Sequence, residues 1–164
     1  MNKVETNIIT ALMQISRAIH STPVPDINKR TTRVKMAGYH KKLLTTIKIG
    51  KYKPFPAVRP PETNPQKKKR SKHRPYINQL TELLVTSISI AAIEFRTNLI
   101  ISPGIPMIYI EGNYEPISKE IFNGFIKECL IGITGDTDVL ADFRKIKREI
   151  FKTSFSNKNF NPKN

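Results

Sequence analysis

Acidic residues are scarce in this chain. Thirteen Asp and Glu stand against 28 Lys and Arg in 164 residues, a formal charge of +15. Cysteine occurs once, as Cys129, and tryptophan not at all. A single cysteine excludes an intrachain disulfide and a zinc site built on cysteine alone. Glycine is held to seven while proline reaches twelve, a balance that favours stiff, extended stretches. Long apolar runs are also missing. The densest, Leu83 to Ile93, is interrupted by Thr86, Ser87 and Ser89, whereas a bilayer span needs roughly 20 apolar residues. The amino terminus lacks the continuous apolar stretch and small-residue cleavage site of a secretory signal. These absences predict no membrane partner and a reducing compartment, cytoplasmic, or nuclear in a nucleated host.

Recognisable catalytic sets are lacking too. The one Gly-Lys pair, Gly50-Lys51, is followed by Tyr52, and Thr45 stands where a phosphate-binding loop needs glycine. His20, His40 and His73 lack metal-ligand spacing. Cys129 occupies a core position of an amphipathic segment, where a thiol acts as a small hydrophobe. Asp136 and Asp138, with Asp142 one helical turn beyond, have a spacing that can hold a divalent ion. The same pattern fits a capped helix start followed by a solvated acid, and that fit is the simpler one. The sequence therefore predicts no enzyme, no cofactor and no bound metal.

What is present is charge confined to one place. From Asn28 to Pro75 there are sixteen Lys and Arg and one acid, Glu62, so the rest of the chain is neutral. Within that stretch, Arg33 to Lys53 mixes bases with Tyr39, Leu43, Leu44, Ile47, Ile49 and Tyr52, a pattern open to a short helix or strand. Pro54, Pro56, Pro60, Pro61 and Pro65 then impose extended backbone. Lys67, Lys68, Lys69, Arg70, Lys72 and Arg74 follow, six fixed charges in eight residues. Such a run can be a solvated linker or a nuclear-import signal. Its near freedom from acids favours a polyanion partner, because each phosphate neutralised releases condensed counterions. Phosphates carry no sequence information, so no base preference follows.

The rest of the chain has helical and strand periodicities. Met1 to His20 carries Ile8, Ile9, Leu12, Ile15 and Ile19 at three- and four-residue spacing, one apolar stripe. Tyr76 to Arg96 does the same with Ile77, Leu80, Leu84, Ile88, Ala91 and Phe95, widened by Leu83, Ile90 and Ile93. Leu99 to Ile101, the turn signal Ser102-Pro103-Gly104 and Met107 to Glu111 predict short strands. Gly112-Asn113 is a hairpin turn, with a short return at Tyr114-Glu115. Ser118 caps a helix buried through Ile121, Phe122, Phe125, Ile126, Cys129 and Leu130, which Gly132 and Gly135 end. Asp136-Thr137-Asp138 opens a last helix with a core stripe of Val139, Phe143, Ile146 and Ile150. On it Arg144, Arg148 and Lys152 stand four apart, a basic ridge with Lys145 and Lys147 beside it.

The segment Met107-Ile108-Tyr109-Ile110-Glu111-Gly112-Asn113-Tyr114-Glu115-Pro116-Ile117 resembles a hairpin of phage- and plasmid-borne DNA primase–helicases of the superfamily 3 type. The resemblance runs from about residue 95 to 155 and takes in the two helices that follow. It implies the mostly helical region ahead of the family's ATPase motor and a setting in mobile-element DNA replication. The motor and the primase centre are expected to be missing, as in a detached or truncated relative.

The expected architecture is mainly α with a small β-hairpin. It comprises an amino-terminal helix (1–20), a basic, proline-rich disordered arm (21–75), a small helical domain with the hairpin (76–154) and a frayed tail (155–164). The expected function is nucleic-acid binding, DNA before RNA, through Lys67, Lys68, Lys69, Arg70, Lys72, Arg74, Arg144, Arg148 and Lys152. The alternatives are an assembly module that self-associates through its apolar helices, and an RNA-bound, ribosome-associated protein.

Overall fold

The computed structural model describes residues 2–22, 36–50, 74–102 and 104–153. The chain is mostly helical with a small three-stranded antiparallel sheet, an α+β fold. The helices are α1 (Lys3–His20), α2 (Met36–Ile49), α3 (Arg74–Glu94), α4 (Lys119–Thr134) and α5 (Phe143–Thr153). Strands β1 (Leu99–Ser102), β2 (Ile105–Ile110) and β3 (Asn113–Pro116) lie between α3 and α4. A 3-10 helix, Thr137–Asp142, leads into α5.

Local signals explain most of these boundaries. Asn2 caps α1, its Oδ1 accepting the Glu5 backbone N–H at 2.7 Å. Ser118 caps α4 in the same way, its Oγ accepting from Ile121 at 3.3 Å. Gly135, at φ 69°, ends α4 in the left-handed conformation that a side chain would strain. Gly132 does not end that helix but lies inside it. There a Cβ would stand 3.0 Å from His20 Cδ2 and 3.1 Å from His20 Cα, so the missing side chain lets α1 and α4 close together. Asp136 accepts the Asp138 backbone N–H at 3.0 Å, which caps the 3-10 turn rather than an α-helix.

The sheet is a meander with one strand more than a hairpin. Leu99 faces Ile108 and Ile100 faces Met107 across β1–β2, while Tyr109 faces Tyr114 across β2–β3. The second turn centres on Glu111 and Gly112, both at positive φ (47° and 95°), one residue earlier than Gly112-Asn113. Two consecutive positive φ values match the right-handed twist of a tight hairpin. Asn98 Nδ2 donates to the Tyr114 hydroxyl at 2.9 Å, and Thr97 Oγ1 donates to the Tyr109 carbonyl at 2.6 Å. These bonds tie the hairpin to the end of α3.

One continuous core joins all five helices and the sheet, from Ile8 to Ile150. α1 contributes Ile8, Leu12, Ile15 and Ile19, and α3 contributes Ile77, Leu80, Leu83, Leu84 and Ile88. The stretch expected as an arm from 21 to 75 is therefore not all arm. α2 lies within it and buries Tyr39, Leu43 and Ile47 against the rest. Thr22 Oγ1 donates to Thr46 Oγ1 at 2.9 Å, closing the end of α1 on α2. The sequence between, and residues 51–73, lie outside the described residues. α3 also corrects the reading of the apolar run. Tyr76–Glu94 has 19 residues at a mean hydropathy of 1.2, long and apolar enough to cross a membrane by length and composition. Here its apolar face is spent on the core.

Candidate nucleic-acid interface

The basic ridge rests on how α5 divides its residues. Phe143, Ile146 and Ile150 are buried, while Arg144, Lys145, Arg148 and Lys152 are exposed and Lys147 is half-buried. Apolar packing thus fixes the helix and orients its cations outward. Arg144, Lys147, Arg148, Phe151 and Lys152 line a shallow cleft of about 450 Å³. Glu149 is the one acid in the helix, and its Oε1 lies 3.5 Å from Lys152 Nζ.

α4 brings further cations to the same side. Phe122 and Phe151 meet edge to face at 5.8 Å between centroids, and Lys127 Nζ stands 5.0 Å above the Phe143 ring. Those two contacts run in opposite chain order, so α4 and α5 are antiparallel neighbours. Lys147 Nζ lies 5.8 Å from the Phe151 ring centre. A cation over an aromatic face is held by the ring quadrupole, so exposed Lys127 and half-buried Lys147 are both positioned. Partial burial, then repulsion from Lys119 and Lys127, lowers the pKa of Lys147. Six cations therefore share one face: Lys119, Lys127, Arg144, Lys147, Arg148 and Lys152.

The ridge of Arg144, Arg148 and Lys152 is placed as the spacing predicts. Sequence reasoning missed the contribution of Lys119 and Lys127. Their signal is the eight-residue spacing of Lys119 and Lys127 on α4, which sets the two lysines about a quarter-turn apart. Arg74 is the first residue of α3. Lys67, Lys68, Lys69, Arg70 and Lys72 lie outside the described residues.

Asp142 is fully buried rather than solvated. Burial, and then the charges of Asp142 and Asp136, push the Tyr76 phenol up to about 12. With Asp136 engaged as a cap, the three aspartates form no shared site, and no metal-binding group of three His, Cys, Asp or Glu occurs among the described residues. Cys129 is buried, and burial above all raises its pKa well above the ordinary thiol value. Tyr39, beside Ser87 and Cys129, is likewise pushed up by burial to about 12. These groups belong to the core. Comparison with protein-family models, curated proteins and solved structures finds no match for this chain.

Proposed function

We propose that this chain binds nucleic acid through the phosphate backbone, DNA in preference to RNA, as an accessory of mobile-element DNA replication. The observation that carries the proposal is the six-cation face of α4 and α5, on which α5 contributes a single acid, Glu149. Apolar packing fixes the helices that carry these cations, and two of them, Lys127 and Lys147, stand over aromatic rings. The confinement of the sequence's excess charge to residues 28–75 supports the same partner. The setting in replication rests on the hairpin resemblance at residues 107–117.

The test is a binding isotherm on duplex DNA as a function of salt. Six phosphate contacts give a log–log slope of about −5. A flat response overturns the proposal, and tighter binding of an RNA competitor moves it to the ribonucleic side.

A further inference from the structure

Next to these cations α4 borders a groove of different chemistry. A groove of about 180 Å³ runs between α1 and α4, floored by Ile9, Leu12, Met13, Ile121 and Phe125. Met13 is 37% exposed, so part of that apolar floor faces solvent. The charged residues that line the groove are Glu120 and Glu128, both negative in a chain of net charge +15. Gly124 lies between them, and a Cβ placed there would meet nothing within 4 Å. The groove is thus open at its centre, apolar at its base and acidic at its two ends.

We propose that this groove docks a short peptide segment of a partner protein, with one large apolar anchor between two basic residues. Charge complementarity selects the flanks, and a space of this volume suits a single leucine or phenylalanine side chain. The helical rise sets Glu120 and Glu128 about 12 Å apart. An extended peptide rises roughly 3.3 Å per residue, so the matching pattern is basic–any–apolar–any–basic. Glu128 also reaches His20, with Oε2 3.3 Å from Nε2, which leaves Glu120 as the more available end. The groove adjoins the six-cation face without sharing a residue with it, since Glu120 and Lys127 stand seven residues apart on nearly one line of α4.

The probe is a synthetic peptide with Lys-Ser-Phe-Ser-Lys at its centre, titrated into the full chain at physiological salt. The ¹³C-methyl resonance of Met13 reports occupancy. A saturable shift is expected, with affinity falling about tenfold when the two lysines of the peptide are replaced by glutamate. Gly124→Leu places a side chain in the open space between the two acids and improves helix propensity, so it abolishes the shift in a folded protein. Glu120→Lys, at an exposed position, weakens binding without altering the core. Equal response to both peptides, or no response to either, overturns the proposal. A Met13 resonance that moves with protein concentration alone assigns the groove to a second copy and overturns it too.

Discussion

At the scale of single residues, two buried phenols and a buried thiol make the core sensitive to alkali. Tyr39 and Tyr76 ionise in the folded chain near pH 12, above the ordinary value of 10.0. Their raised values mean that the folded state binds protons more tightly than the unfolded one. The stabilisation is fully present below pH 10 and is lost as pH rises towards 12. Tyrosinate absorbance across that window is expected to show two of the five tyrosines titrating late and together with unfolding. Cys129 is expected to resist alkylation in the native chain at neutral pH and to react once denaturant opens the core, as read by mass. Ready native labelling would contradict its burial. Gly132 is the third sensitive point. Alanine there gains helix propensity but meets backbone as well as ring atoms of His20. A net loss of about 1–2 kcal/mol follows from overpacking, measurable by denaturant unfolding.

Among secondary-structure elements, periodicity and capping had the most predictive power. The stripes on α1, α3 and α5 were visible because a helix must repeat its apolar face every three or four residues. The caps at Ser118 and the stop at Gly135 were visible because only certain residues satisfy helix ends. Gly135→Ala is expected to cost about 1 kcal/mol, since the new side chain must adopt positive φ; a thermal melt checks this. Other features were hidden for physical reasons. Gly132 looked like a stop because glycine commonly is one, whereas tertiary packing decides its place inside α4. α2 was obscured by its bases, although Tyr39, Leu43 and Ile47 recur at the spacing of a buried face. Asp142 looked solvated because its burial is set by tertiary packing that brings its charge near Tyr76 of α3, which no local pattern encodes. The ridge on α5 was legible from spacing alone, while its companions on α4 required knowledge of which helices are neighbours.

For the whole molecule, the decisive question is how phosphate contacts divide between the ordered face and the basic run. Neutralising Arg144, Arg148 and Lys152 to glutamine is expected to lower the salt slope by about 2.7 units. Neutralising Lys67, Lys68, Lys69, Arg70, Lys72 and Arg74 probes the other share. If the first variant leaves both slope and affinity unchanged, the ordered face plays no part in binding. Stability should be nearly indifferent to the first set of changes, because the exposed charges of Arg144, Arg148 and Lys152 contribute little to folding.

α4 borders two adjoining surfaces, a strip of cations and an acid-rimmed trough. Its seating against α1 leaves no room for a side chain where Gly132 meets His20. With Glu120 and Lys127 on nearly one line of the helix, a basic peptide in the trough and a polyanion beside it are expected to attract each other, and reciprocity makes each raise the affinity of the other by one common factor.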